Sequence, residues 1–254
     1  MNPEFPVSII RCESEGEFFA SQSLNPGEVS AFLLEHDEQV NDDALESLGQ
    51  WSDDDHERMR DFRDQRGKTS WCMARRVFRS VMLRVLGMDA ESMTMETGEF
   101  GKPFFRNSPI TFNWAHTTGC FLLVVSNRLQ VGCDIEDSHR SRETFRDIAR
   151  DYFGIAERQW IDDASTAGEA WLRFLAAFVE KEARLKMSGN GITESMRSTT
   201  TAMRLPPYYT GTLLSFCFPE VTHDLTGSRY FAAMSFQSEP HAISIRTHRF
   251  ATNR

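Results

Sequence analysis

The order of elements predicts a chain that mixes helices and strands in two comparable halves. Three observations carry that expectation. "TSWCMARRVFRSVMLRVLG" places apolar residues at Trp71, Met73/Ala74, Val77/Phe78, Val81/Met82 and Val85/Leu86, which is helical spacing. "GEAWLRFLAAFVEKEARLKM" (168–187) is a second long helical stretch. Several short apolar runs bounded by turn residues accompany each helix, as strands joined by tight connections do. The halves meet near "VGCDIE", which divides the chain into 1–130 and 131–254. No low-complexity linker separates them, so they are expected to pack closely as one unit.

The opening segment reads as a strand or two with a turn at "LNPGE". Residues 30–50 read as weakly helical. "DDDHERMRDFRDQRGK" then shifts from acidic to basic, and the first long helix follows, with Gly87 in the position of a stop signal. Residues 91–105 read as a short strand, a turn and a loop. "ITFNWAHTTGCFLLVVSN" (110–127) holds two strands around "HTTG". "VGCDIE" (131–136) is a third, completing a meander, with Asp137 starting the exit loop. Residues 141–162 read as one or two helices broken at Gly154. Gly189 and Gly191 end the second long helix. "GTLLSFCF", "RYFAAMSF" and "HAISIRTH" read as strands of a hairpin-rich sheet, and "THRFATNR" as a frayed tail.

The 254 residues, 40% hydrophobic and 26% charged, suffice for a sizeable core. The longest apolar runs, such as "GCFLLVVS", are far too short to cross a bilayer as a helix. Acids interrupt the N-terminal segment where a signal peptide needs a clean apolar run, so a cytoplasmic location is expected. The five cysteines (Cys12, Cys72, Cys120, Cys133, Cys217) are odd in number, irregularly spaced and without C-x-x-C. That pattern predicts reduced thiols rather than a disulfide framework or zinc site. A net charge of −9 argues against nucleic acid or anionic membrane as the main partner.

Chemistry concentrates in three stretches. In a strand, residues i and i+2 share a face, so Asp134 and Glu136 project together while Cys133 and Ile135 face the core. Paired carboxylates repel unless a proton or cation lies between them, and a hard divalent ion such as Mg²⁺ prefers oxygen ligands. Alone, so short a pair is more often a solvated strand edge. In "FVEKEARLK", Phe178, Glu182 and Lys186 lie along one helical face. Glu182–Lys186 and Glu180–Arg184 are equally ordinary i,i+4 pairs worth a few tenths of a kcal/mol, roughly. In "GKPFF…FNWAHTTG", Lys102 sits in a constrained loop and His116 at a strand end. Both suit a phosphate oxygen, although a lone histidine is more often structural.

In this order, "GKP…FNWAH", "VGCDIE" and "FVEKEARLK" resemble the three motifs of the 4′-phosphopantetheinyl transferases. The likeness is to the larger, monomeric type acting on peptide-synthetase and fatty-acid or polyketide carrier proteins. It runs from residue 101 to 186. The resemblance implies an α+β fold of two pseudo-twofold-related halves, each a long helix on a small, mainly antiparallel sheet, with coenzyme A in the cleft between them. It implies Mg²⁺ on Asp134, Glu136 and Glu182. It implies Glu182 as base, Lys186 assisting proton movement and holding phosphate, and Lys102, His116 and Lys181 contacting coenzyme A phosphates. An arginine before the first long helix meets the 3′-phosphate in that family. Here Arg63, Arg66, Lys68 and Arg75 all stand near that place. Two positions depart from the family pattern: Ala115 replaces serine before the histidine, and Phe178 replaces tryptophan.

The implied reaction moves the phosphopantetheine arm of coenzyme A onto a serine of an apo acyl or peptidyl carrier protein and releases 3′,5′-ADP. Basic stretches at Arg58–Arg79 and Arg140–Arg150 are candidate docking surfaces, or simply solvated helix faces. Two other readings use the same residues. One is a Mg²⁺-dependent phosphohydrolase acting on a small phosphate ester. The other is an inactive binding module of the same fold, against which the intact Asp134, Glu136, Glu182 and Lys186 argue.

Overall fold

The structure is a computed structural model that describes residues 7–47, 51–89, 93–139, 143–189, 195–218 and 229–250. Through residue 127 the elements are β1 (Val7–Arg11), α1 (Glu15–Phe18), β2 (Glu28–His36), α2 (Asp42–Ser47), α3 (Asp53–Asp61), α4 (Gln65–Ser80), β3 (Met95–Thr97), β4 (Pro103–Phe105), β5 (Ile110–Thr117) and β6 (Cys120–Asn127). A π-helical turn, Val81–Val85, extends α4. Then come β7 (Val131–Asp137), α5 (Phe145–Tyr152), α6 (Ile155–Asp162), α7 (Ala167–Ser188), α8 (Ser195–Ser198), β8 (Tyr208–Tyr209), β9 (Leu213–Phe218), β10 (Tyr230–Phe236) and β11 (Ala242–Phe250).

The fold is α+β, and strand alternation builds it in layers. In β2, Val29, Ala31 and Leu33 point to one side while Phe32 and Leu34 point to the other. In β6, Cys120, Leu122 and Val124 oppose Phe121, Leu123 and Val125 in the same way. One set packs under α4. The other meets Val131, Cys133 and Ile135 of β7 and Ala232 and Met234 of β10, from a second sheet. That sheet's far side, with Phe231 and Ala233, packs under α7, α5 and α6. The result is helix, sheet, sheet, helix. Strands buried on both faces read as unbroken apolar runs, which is why "CFLLVVS" shows no polar alternation.

The first sheet runs β1-β11-β2-β6-β5, and the second runs β7-β10-β9-β8. The second is antiparallel throughout. The first is mixed, with β11 parallel to both β1 and β2. Strands β3 and β4 form a separate hairpin.

Several expectations are corrected. Residues 28–36 are a central strand rather than part of a weak helix, and only Asp42–Ser47 of that stretch is helical. Burial on both faces removed the alternation that marks a strand. Strand β7 does not complete a meander with β5 and β6. It pairs with β10 in the other sheet, and Asp137 is its last residue rather than the first of a loop. The segment "HAISIRTHRF" leaves the C-terminal hairpin and inserts between β1 and β2, so "THRF" is strand and not tail. Gly191, Arg140 and residues 251–254 lie outside the described residues. Helix α4 begins before Trp71 because the Asp64 side chain caps it by accepting from the Gly67 N–H. All five cysteines are buried and unpaired. Among the described residues no helix is long and apolar enough to cross a membrane.

Helix α7 is the longest described element. Thr166 caps its start, accepting from the Glu169 N–H, and Gly189 ends it in the left-handed conformation at φ 74°. It lies directly on β7. A Cβ at Gly132 would stand 2.1 Å from the Ala183 carbonyl oxygen and 2.2 Å from the Met187 nitrogen. Only a residue without a side chain lets the helix backbone come this close. Gly132→Ala is therefore expected to lower stability by more than about 3 kcal/mol, at the upper end of overpacking costs. Urea unfolding measures this. An unchanged midpoint would mean that α7 does not rest on β7 at this distance.

Candidate active site

The close approach of α7 to β7 brings two rows of charge together. Asp134, 6% exposed, lies on the helix-facing side of β7, opposite Cys133 and Ile135 in the core. Lys186 Nζ donates to Asp134 Oδ1 at 2.6 Å. Glu182, one turn earlier on α7, is 5% exposed. Burial, together with the charges of Asp134 and Glu136, pushes its carboxyl up to about 7 against the counteracting Lys186. Burial opposes the charge on Lys186, but Asp134 outweighs it and holds the ammonium above its ordinary value. Strand β5 fixes the register of β7 from the other side: the Cys133 N–H donates to Asn113 Oδ1 at 2.9 Å.

Two cavities flank this row. One, of about 650 Å³, is lined by Arg66 and Gly67 at the start of α4, by His116, by Glu136 and Asp137 at the end of β7, and by Arg229. The other, of about 500 Å³, is lined by Glu182, Lys186, Lys102, Asn113 and the apolar surfaces of Phe100, Pro103, Trp114 and Leu185. His116 keeps solvent-exposed surface, yet the enclosing protein and the Lys186 charge hold its imidazole below the ordinary range, with Asp134 pulling the other way.

The candidates sort clearly. Asp134, Glu136, Glu182 and Lys186 are brought together, with His116 at the edge of the larger cavity. Lys102 lines the smaller cavity, but its ammonium donates to the carbonyls of Val131 at 3.0 Å and Met187 at 2.8 Å. Met187 is in the last turn of α7, so Lys102 closes that helix end, and burial lowers its pKa to about 8. Of the basic residues near α4, only Arg66 lines the larger cavity. Lys68 pairs with Asp42 at 2.9 Å. Arg75 is committed to Asp55 at 3.0 Å, a carboxylate that Arg79 also holds at 2.7 Å. Arg63 is exposed just before the helix. Lys68 and Arg75 are thus each engaged by an acid away from the larger cavity.

Lys181 lines neither cavity. It is fully buried on another face of α7, paired with Glu157 at 2.8 Å. It donates to the carbonyls of Met196 and Thr199 as well. Glu157 accepts from the Thr201 N–H, and Glu180 accepts from the Tyr208 hydroxyl at 2.7 Å. Glu180 and Lys181 thus anchor the segment after α7 rather than face the cavities. The expected Glu180–Arg184 pair is present at 3.1 Å. The basic stretches are largely neutralised as well: Arg76 pairs with Glu15, Arg146 with Asp162 and Arg150 with Asp147.

Sequence reasoning missed Asn113, Trp114 and Arg229. Asn113 and Trp114 lie inside the "FNWAH" stretch quoted for His116, so proximity in sequence was a usable signal. Arg229 lies far along the chain in no motif. The three carboxylates are hard oxygen donors without sulfur, and their mutual repulsion is what a divalent cation relieves, so the donor chemistry fits Mg²⁺. Among the described residues no three His, Cys, Asp or Glu side chains already form a metal cage, and Lys186 is seated on Asp134.

Comparison with known proteins adds a second line of support. Residues 130–248 match the family described as the 4′-phosphopantetheinyl transferase superfamily. The chain is similar to the 4′-phosphopantetheinyl transferase AcpT of Salmonella typhi, with 37% identity over 100 residues, covering 37% of this chain and 49% of that protein. It is 30% identical over 121 residues to the AcpT of Escherichia coli O157:H7, covering 47% of this chain and 58% of that protein. The chain thus spans about half the length of these relatives.

Two outcomes are expected. The folded chain holds the Glu182 proton more tightly than the unfolded chain. The resulting stability is complete below the ordinary 4.5 and is lost as pH rises through about 7. In a chelator, Glu182→Gln is expected to exceed the parent in stability at pH 8 by roughly 2 kcal/mol, with no gain below the ordinary carboxyl range. Denaturant titration across pH measures this, and a gain confined to acid pH would contradict it. Lys181→Met leaves Glu157 charged and buried and is expected to cost roughly 3–5 kcal/mol. A loss of activity at unchanged stability would instead return Lys181 to the site.

Proposed function

We propose, from the match of residues 130–248 to the 4′-phosphopantetheinyl transferase superfamily, that this chain transfers the 4′-phosphopantetheine arm of coenzyme A to a serine of an apo carrier protein. The serine hydroxyl oxygen attacks the phosphorus that bears the arm, the P–O bond to the adenosine side breaks, and 3′,5′-ADP leaves. The observation that carries this reading is the meeting of Glu182 and Lys186 with Asp134 and Glu136 between the two cavities.

Each residue has a part in the proposal. Glu182, a carboxylate set beside the strand acids and lining the smaller cavity, is placed to take the serine proton. Lys186 stabilises charge on the transferring phosphate. His116 and Arg66 face the cavity where phosphate groups would lie, and the flat apolar walls of Trp114, Phe100 and Pro103 suit the adenine ring. Asp134, Glu136 and Glu182 would hold Mg²⁺. That ion, when bound, neutralises developing charge on the diphosphate. Positioning and charge stabilisation supply most of the catalysis in such transfers. The chain is proposed to act as a monomer.

The test is incubation with coenzyme A, Mg²⁺ and an apo carrier protein, followed by mass spectrometry. A gain of one phosphopantetheine arm is expected. Chelation of Mg²⁺ should abolish it, and Glu182→Gln or Asp134→Asn should lower kcat by roughly a hundredfold or more. Release of free phosphate without a labelled protein would favour the phosphohydrolase reading. Binding without turnover would favour an inactive module.

A further inference from the structure

Outside the acidic row, one cation on the wall of the larger cavity serves none of the motifs. Arg229 directly precedes β10. Its Nη2 donates to Glu38 Oε1 at 2.6 Å and to Asp137 Oδ2 at 2.8 Å, and its Nε donates to the same Asp137 oxygen at 3.1 Å. Both acids have a second link. Glu38 Oε2 stands 3.6 Å from Arg66 Nη2, and Asp137 Oδ1 accepts from the His139 N–H at 2.9 Å. The next residue, Tyr230, donates its hydroxyl to the Thr118 carbonyl at 3.2 Å, in the turn just after His116. Residues 229 and 230 therefore tie together the segment after β2, the β5–β6 turn and the end of β7, across both sheets.

The charge balance gives this tie a consequence. The cavity wall carries four acids, Glu38, Asp64, Glu136 and Asp137. Left uncompensated, they would repel any phosphate that Arg66 and His116 attract. Arg229 engages two of them through short, charge-assisted contacts. It also holds Glu38 on its own side, so Glu38 grips Arg66 only at the longer distance, and the Arg66 side chain stays mostly exposed.

We propose that Arg229 is a positioning residue of the larger cavity: it offsets part of the charge of Glu38 and Asp137, holds Glu38 on its own side and keeps Arg66 available for an anionic phosphate group. This rests on the reading of that cavity as a nucleotide-phosphate site. The test is isothermal titration calorimetry with 3′,5′-ADP on the full chain, with thermal midpoints recorded for every variant. The parent binds the probe. Arg229→Gln weakens binding at least tenfold. Arg229→Lys, which keeps the charge but not the fork, loses less. Glu38→Gln combined with Arg229→Gln recovers part of the loss, because one of the two acids that Arg229 engages, the one facing Arg66, is gone. A merely structural role would not show that recovery. Parent-like binding by Arg229→Gln, or no recovery in the double variant, overturns the inference. If Arg229→Gln does not fold, the Lys variant and the double variant decide in the same way. If the parent itself does not bind 3′,5′-ADP, it is the functional reading that fails.

Discussion

Contact between the backbones of α7 and β7 governs the rest of the molecule. A strand and a helix ordinarily stand apart by the thickness of their side chains. At Gly132 that thickness is missing, and the turn from Ala183 to Met187 settles onto the strand. Residues on either side of the contact are thereby fixed in depth and register. Lys186 reaches Asp134, and Glu182 comes within electrostatic range of both strand acids. Asn113 holds the same strand from the opposite sheet, so β7 is clamped between a helix and a neighbouring layer. Lys102 adds a further tie by joining the Val131 carbonyl to the Met187 carbonyl at the end of α7.

Within this frame the charged groups set one another's protonation. Burial alone would neutralise each of them. Asp134 reverses that tendency for Lys186 and reinforces it for Glu182, because one partner is a cation and the other an anion. The enclosing protein and Lys186 lower the His116 imidazole below its ordinary range, against Asp134. One carboxyl raised toward neutrality thus stands beside an ammonium held above its ordinary value.

Helix α7 also shows how neighbouring positions diverge in role. Successive residues turn by about 100°, so Glu182 and Lys186, four apart, share a face while Lys181 turns away from it. Lys181 and Glu180 hold the segment from Met196 to Tyr208, and Glu182 and Lys186 line the smaller cavity. The same division separates Arg66 from Lys68 and Arg75 on α4.

Much was legible in the residues themselves. The two long helices, the hairpin at "HTTG", the shared face of Asp134 and Glu136 and the shared face of Glu182 and Lys186 all follow from local periodicity, which a chain carries in its own spacing. Three things did not. Strand β2 passed for a weak helix because burial on both faces erases alternation. Strand β11 passed for a hairpin partner and a tail because nothing local says which sheet a strand will join. The roles of Lys181, Lys68, Arg75 and Arg229 depend on acids distant in sequence, Glu157, Asp42, Asp55, and the pair Glu38 and Asp137. Periodicity fixes which way a side chain points from its own element. Only packing between elements decides what it meets there, and with it whether a charge is spent on holding the fold or left for a ligand.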